Sequence, residues 1–241
     1  MYKDLSKVLW LICLFLFVSS MAPNMATAQT AFGIRSGLSL STFRLSIDDS
    51  DTANPFQFDY VMGMTLGGHT RFGLGRSFFL QPEFQYARLG GSWLEDESST
   101  EQLTITFRHH CLQVLMLARV HIPYKQFMFN IHVGPHVRYS VGSALFESVL
   151  QYEDEYEKYT LKSKQEISWE DVGESFRRFE PGVTAGLGWD MPLGPGRLGA
   201  DFRFQRGFSS WINPEPGLVY FSSMNFQLGC SYEMVLGQKT M

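Results

Sequence analysis

Two pairs of neighbouring residues, His109 with His110 and Ser98 with Ser99, are of the types that hydrolytic enzymes use. A lipid hydrolase needs Ser, His and an acid within hydrogen-bond reach of one another. Spacing along one chain does not establish that geometry, and the same residue types are common where a polar rim meets water. We therefore predict a polar rim at this place, with no catalytic residues, and we expect the protein not to be an enzyme.

His132 and His136 could be read as a metal-binding pair. On a helix their spacing would place both rings at one ion, but four residues of a strand span roughly 13 Å, which is too far for two imidazoles to share a metal. We expect interior histidines that are hydrogen-bonded and no metal site. The glycines alternate along strands and do not open a helix, so no phosphate-binding loop and no cofactor are predicted.

The elements that position these residues are predicted to be strands. EFQYAR at residues 83–88 recurs as DFRFQR at residues 201–206, and both alternate polar and aromatic side chains with the period of two that a strand requires. The same alternation predicts eight strands: 31–42, 59–71, 78–91, 103–121, 127–143, 179–190, 197–209 and 220–234.

The connections between these strands alternate in length. Tight turns at 73–76, 123–126 and 192–196 alternate with long polar loops, one of them the acidic stretch around EDESST and the longest at about 144–177. Short turns at one end and long loops at the other are typical of bacterial outer-membrane barrels. A soluble lipocalin-like barrel also has eight antiparallel strands, so this architecture alone does not decide whether the outer surface of the barrel faces lipid or water.

The distribution of charge favours a membrane barrel over a soluble one. A solvated sheet face would be rich in Lys and Glu, whereas here the polar side of the strands carries many glycines and almost no lysine. Small residues make room for large ones inside a narrow barrel. We expect the following arginines and acids to pair in the interior: Arg35, Arg71, Arg119, Arg138 and Arg203 with Glu83, Glu180, Asp190, Asp201 and Glu233.

Aromatic residues support a lipid-facing apolar side, because they fall into two girdles as membrane interfaces select. The girdle near the short turns comprises Phe32, Phe78, Tyr124, Trp189 and Tyr232. The girdle near the long loops comprises Tyr60, Tyr86, Trp93, Tyr139, Phe179, Trp211 and Tyr220. Arg88 and Arg206 are expected at the outer headgroup level. Pro82, Pro135 and Pro181 interrupt predicted strands, and bulges at those positions would accommodate them.

The N-terminus has the charged, apolar and small-residue order of a secretory signal peptide, which predicts a cleaved segment at residues 1–28 and a barrel domain at residues 29–241. The alternative is a membrane anchor, but the apolar run is shorter than a bilayer requires. The net charge of −4 and the lack of a basic stripe argue against nucleic-acid binding. Whether Cys111 and Cys230 pair stays open.

Several stretches together resemble a known family. They are AFGIRSGLSLSTF, MGMTLGGHTRFGLGRSFFLQPEFQYARLGG, FEPGVTAGLGWDM and LGADFRFQRGF. On these the mature chain resembles the PorT-like outer-membrane barrels of Bacteroidota. The resemblance implies a part in type IX secretion, which exports proteinases to the cell surface. An eight-stranded barrel filled with side chains cannot pass a folded protein, so the expected role is that of an accessory.

The sequence thus predicts an all-β protein of the cell outer membrane: an eight-stranded antiparallel up-and-down transmembrane β-barrel with short periplasmic turns and long extracellular loops. Expected partners are outer-membrane lipid or lipopolysaccharide and other type IX secretion components, with the barrel a monomer or part of a larger complex. The acidic segment 144–177 is a candidate interaction surface. Two alternatives remain, a structural or adhesive barrel without a secretion role and a lipid-modifying enzyme.

Overall fold

The computed structural model describes residues 30–46, 58–98, 101–153, 158–169, 178–208 and 220–236. The predicted signal segment 1–28 lies outside these ranges. The regular structure is β-strand: β1 (Thr30–Ser46), β2 (Phe58–Gly73), β3 (Phe78–Ser98), β4 (Glu101–Tyr124), β5 (Phe127–Glu153), β6 (Lys158–Ser168), β7 (Phe179–Leu193), β8 (Gly196–Gly207) and β9 (Tyr220–Leu236). Among the residues described, no helix is long and apolar enough to span a bilayer.

Eight of the nine strands form a closed ring. Its order is β1, β2, β3, β4, β5, β7, β8 and β9, with antiparallel neighbours throughout. The ring closes between β1 and β9, whose pairing runs from Thr30 opposite Leu236 to Ser46 opposite Tyr220. The eight-stranded antiparallel barrel predicted from the alternation is confirmed.

Most strands of the ring have a polar buried side and an apolar exposed side, and on β4 the buried side also carries Leu115 and Leu117. On β1, Arg35 is 2% exposed while its neighbour Ile34 is 70% exposed, and on β2 Leu66 is 61% exposed. This is the reverse of a soluble barrel, in which apolar side chains fill the interior. The outward side chains are therefore those that meet lipid, as the sequence predicted.

The outer ends of three strands differ from the prediction. β3 and β4 extend so far that only residues 99 and 100 separate them, and β5 continues to Glu153. The segment predicted as a loop at 144–177 was therefore wrongly assigned in part, since residues 144–153 belong to β5 and β6 pairs with them in an antiparallel hairpin. Alternating apolar and polar residues let this charge-rich segment form strands.

A glycine marks the place where β5 changes its partner. Below this point β5 pairs with β7, up to Tyr139 opposite Phe179, and above it β5 pairs with β6, from Ser143 onward. Gly142 lies between them with φ of 70°, in the left-handed region that a residue without Cβ adopts at low cost. The pairing of β4 with β5 shifts at the same height, which identifies a β-bulge.

The expectation of bulges at the strand prolines was wrong. At Pro82 and Pro135 the ladder lacks pairs on one side, yet the register is the same above and below the gap. Pro181 lies near the end of β7, where its carbonyl accepts a hydrogen bond from Phe208 N at 2.8 Å. In an antiparallel strand the N–H and C=O of one residue point to the same neighbouring strand. The N–H that Pro181 lacks would therefore point to β8, at the end of the ladder between the two strands.

Aromatic side chains are exposed near both ends of the outward face. Phe32, Phe78, Tyr124 and Trp189 are exposed near the short turns, and Tyr60 and Phe179 near the other end. Tyr139 does not fit the outer girdle, because it is only 3% exposed between its cross-strand partners Leu112 and Phe179. Trp211 lies outside the described residues.

Candidate functional site: the barrel lumen and its outer rim

The half of the lumen near the short turns is filled by an ion-pair cluster around Asp190. Arg119 Nη2 donates to Asp190 Oδ1 and Oδ2 at 2.9 Å each, and Arg71 Nη1 lies 3.3 Å from Oδ2. Arg71 also pairs with Glu233, which approaches His69. These side chains are buried, and paired charges persist in an interior where an isolated charge would not.

The centre of the lumen is held by a chain of ion pairs between strands that are not neighbours. Arg203 donates to both carboxylate oxygens of Glu83, at 2.6 and 2.9 Å, and its Nε lies 2.8 Å from Asp201. Arg35 reaches the same Asp201 at 2.7 Å. Such bidentate guanidinium–carboxylate contacts are strong and directional, so they hold opposite walls of the barrel at fixed distances.

The third layer lies nearer the long loops and centres on Arg138. Its guanidinium contacts Glu180 at 3.1 Å and Gln205 at 2.7 Å, and it also donates to Ser223. Ser223 Oγ lies 2.8 Å from both carboxylate oxygens of Glu180. With the two layers below, this accounts for all five arginines and all five acids that the sequence placed in the interior.

Glycine provides the space for the bulky partners. A Cβ on Gly229 would overlap the Arg35 guanidinium, and a Cβ on Gly207 would overlap the carboxylate of Glu180. The glycines that are unusual in strands are therefore required on the inward side by the size of the ion pairs.

An apolar cluster closes the outer end of the lumen. This outer plug consists of Phe43, Phe107, Ala144 and Trp169, and Phe146 packs against it. The rings of Phe43 and Phe107 are 5.5 Å apart, and those of Phe107 and Phe146 are 4.8 Å apart. Sequence reasoning did not identify the plug, because Trp169 follows β6 in a segment that was predicted to be loop.

Beyond the plug, the ends of β3, β4 and β5 continue with β6 as a four-stranded protruding sheet. Its inner face is apolar towards the tip, where Tyr152 and Tyr159 stack at 4.8 Å and Leu161 is 59% exposed. Its outer face is charged: Glu147 lies 3.0 Å from Arg108 and 3.4 Å from Lys164. Partial desolvation raises the pKa of Glu147, but Lys164 and Arg108 outweigh it and hold that pKa below its usual range.

A polar cluster lies on the lipid-facing side just below the protruding sheet. This rim cluster comprises Tyr86, Arg88 and His110, with Arg88 directly opposite His110 on the neighbouring strand. The Tyr86 hydroxyl is hydrogen-bonded to His110 Nδ1, and the two rings are stacked with centroids 5.7 Å apart. Arg88 Nε is buried and has no hydrogen-bond partner among the described residues.

The sequence from residue 25 to residue 213 matches the model of a protein family described as the outer membrane protein beta-barrel domain. The chain belongs to this outer-membrane β-barrel family. The closed ring, the apolar outward face and the two levels of exposed aromatic residues agree with that membership, and together they confirm the predicted outer-membrane location. No curated protein matches the sequence.

Solved outer-membrane barrels are similar to the chain in fold. Ail of Yersinia pestis, crystallised with the heparin analogue sucrose octasulfate, is 12% identical with a TM-score of 0.35 over 86% of this chain and 99% of that one. OprG of Pseudomonas aeruginosa is 9% identical with a TM-score of 0.40 over 85% and 95%. The outer-membrane protease OmpT of Escherichia coli is 11% identical with a TM-score of 0.30 over 87% and 96%. The assignment rests on the family match and the strand pairing.

The histidines named as candidates are distributed between the two sides of this outer-membrane barrel. His109 is buried on the lumen side beside the outer plug, whereas His110 points outward, so the two do not share one site. Ser99 and the side chain of Ser98 lie outside the described part of the chain. A site built from His109 and His110 together is therefore not formed.

The lumen histidines are hydrogen-bonded, as predicted. His132 Nδ1 lies 3.1 Å from Asn130 Oδ1, and His136 Nδ1 lies 2.9 Å from Thr184 Oγ1. Within the described ranges, no group of three or more His, Cys, Asp and Glu side chains could hold a metal ion.

The open question about the cysteines is answered by their positions. Both are free: Cys111 is buried in the barrel and Cys230 is exposed. Their strands, β4 and β9, are not neighbours in the ring, so no disulfide connects them.

Proposed function

We propose that this outer-membrane barrel is an accessory of protein secretion across the outer membrane, acting in the type IX system that its PorT-like sequence features suggest. Its contribution is contact with other secretion components, and it is not the conduit. The observation that carries this proposal is the filled lumen, since three layers of buried ion pairs and the outer plug occupy the space through which a substrate would pass.

The protruding sheet supports an interaction role. β6 hydrogen-bonds to β5 along one edge, and the described residues place no strand on its other edge. An exposed strand edge is a template for a further strand, and the exposed Tyr159 and Leu161 beside it add apolar area. This surface rises above the membrane on the long-loop side, where a partner in the outer leaflet or outside the cell would reach it.

The proposal is tested by deletion of the gene in the native organism. We expect surface proteinases to remain trapped inside the cells and to return to the surface when the wild-type chain is restored. Normal surface display in the deletion strain would overturn the proposal.

A second variant separates the sheet from the barrel. Residues 148–163 are replaced by Asn-Gly, which forms a two-residue hairpin turn between Glu147 and Lys164 and leaves Phe146 and Trp169 of the plug region in place. Heat-dependent mobility on gels checks that the barrel folds. Loss of secretion in a folded variant is expected, and full secretion would show that the tip of the protruding sheet is not the working surface.

A structural or adhesive barrel is the second candidate, favoured by the exposed apolar side chains at the tip of the sheet. It predicts normal export in the deletion strain together with altered envelope integrity or surface binding. The two candidates therefore differ in one measurement, the amount of proteinase displayed at the cell surface.

A further inference from the structure

The rim cluster is built around an arginine whose side chain has no partner among the described residues. Arg88 points outward from β3 about ten residues above Phe78, where the strand begins. At roughly 3.3 Å per residue on a tilted strand, this distance covers the apolar band of about 25 Å, so Arg88 lies at the outer headgroup level. Its Nε is buried without a hydrogen bond, and its guanidinium forms no ion pair with a described carboxylate.

The neighbours of Arg88 provide a second donor. His110 lies directly opposite it, and the Tyr86 hydroxyl bonds to His110 Nδ1. When that hydroxyl donates, the neutral ring carries its proton on Nε2, which becomes a donor. Arg88 and His110 thus present N–H groups side by side at one height.

The residues beside this pair carry more cations than acids. Gly90, two residues beyond Arg88, is buried, and the Arg108 side chain packs against it, with Cγ 3.2 Å from the place a Cβ would occupy. Arg108 and Lys164 share the single carboxylate of Glu147. Glu166 on β6 is the other acid near His110, so Arg88, Arg108 and Lys164 together face two acids and one positive charge remains.

We propose that the rim cluster binds the phosphate group of an outer-leaflet lipid, with Arg88 as the principal donor and His110 Nε2 as the second. A guanidinium matches phosphate oxygens in a bidentate geometry, and charge-assisted bonds of this kind are strengthened where lipid and protein exclude water. The phosphate binds the terminal Nη groups of Arg88, for which no acceptor lies among the described residues. The site fixes one lipid on the β3–β4 face, directly below the protruding sheet.

The chain contains a matched control for this site. Arg206 on β8 also points outward about ten residues above the start of its strand, and it is exposed. Its cross-strand partners are Val183 and Met224, so among the described residues no second donor lies opposite it. Arg206 therefore extends to the headgroups as an isolated cation, whereas Arg88 belongs to a built site.

The experiment measures lipid retention by the full-length folded chain in detergent, by native mass spectrometry. The probes are lipid A carrying its phosphates and the same lipid with the phosphates removed. We expect the wild type to retain only the phosphorylated probe. Arg88→Gln should weaken retention about ten-fold, as loss of a charge-assisted hydrogen bond predicts, while Arg206→Gln should match the wild type.

Further arms define the ligand and exclude misfolding. Inorganic phosphate in excess displaces the lipid if the site recognises the phosphate group alone, and leaves it bound if the acyl chains are also required. Arg88→Lys keeps the charge and should retain more lipid than Arg88→Gln, with heat-dependent gel mobility showing that each variant is folded. Equal losses in Arg88→Gln and Arg206→Gln, or no loss in folded Arg88→Gln, would overturn the proposal.

Discussion

Strands β3 and β8 carry almost the same pattern, EFQYAR at residues 83–88 and DFRFQR at residues 201–206, on opposite sides of the ring. Their inward residues meet in the middle of the lumen, where Arg203 binds Glu83. Their outward ends differ, because Arg88 is flanked by His110 and Tyr86, whereas Arg206 lies between apolar partners.

The comparison shows that equal local patterns acquire different roles from their neighbours. The alternation puts both acids in the lumen and both terminal arginines at the rim. The adjacent strands then decide whether an outward arginine joins a cluster or stays alone. The glycines that follow also differ in direction: Gly207 makes room for Glu180 inside, while Gly90 lies on the outward side of β3, where Arg108 packs against it.

The largest effect is expected from breaking the contact between the two strands. Glu83→Gln leaves Arg203 and Arg35 buried with Asp201 as their shared acid in the centre, and removing one partner of a buried pair costs about 3–5 kcal/mol. Urea unfolding of the barrel, followed by tryptophan fluorescence, measures this loss.

The control for this prediction replaces both partners of the central pair. Glu83→Met with Arg203→Met removes both charges together, and it should recover part of the lost stability because no unpaired charge remains at this place. Wild-type stability in the Glu83→Gln single variant would contradict the view that this pair ties β3 to β8.

A smaller effect is expected from the inward glycine of β8. Gly207→Ala places a Cβ where the Glu180 carboxylate lies, so that carboxylate must move away from Arg138 and Ser223. Overpacking of this kind costs about 1–3 kcal/mol. Gly75→Ala is the control, because a Cβ there meets no neighbour within 4 Å. Equal unfolding midpoints for the two variants would argue against the proposed crowding.

The smallest effect is expected at the outer end of β4 and β5, next to the rim cluster. Glu147→Gln removes the acid shared by Arg108 and Lys164, a partly exposed contact that water and salt screen. The pKa of Glu147 is lowered in the folded chain. Its ion pairs therefore stabilise the fold at pH values above the ordinary pKa of Glu, and this contribution is lost as the pH falls through the lowered pKa.

This prediction is checked by comparing unfolding midpoints of the wild type and Glu147→Gln at neutral and at strongly acidic pH. A small difference is expected at neutral pH, and none is expected in acid. A difference that grows as the pH falls would show that the ion pairs are not its source.

Much of the lumen could be predicted from residue types, but its connections could not. The five interior arginines and five acids follow from their parity, since period two assigns each residue to one face. Which acid meets which arginine depends on ring closure and stagger: Glu83 and Arg203 come from opposite strands, and Asp190 serves both Arg71 and Arg119. The outer plug was not predicted because Trp169, one of its members, lies outside the eight predicted strands.

The sequence by itself determined the strands, the side of each strand that meets lipid, and the eight-stranded closure, because alternation, glycine placement and turn lengths are local properties that one chain displays. Only the tertiary structure decided that residues 144–153 and 158–168 pair as a protruding hairpin, that an apolar plug lies at the outer end of the lumen, and that Arg88 belongs to a cluster while Arg206 lies between apolar partners. These depend on register between strands that are distant in the chain, and a local pattern contains no information about which distant residue lies opposite.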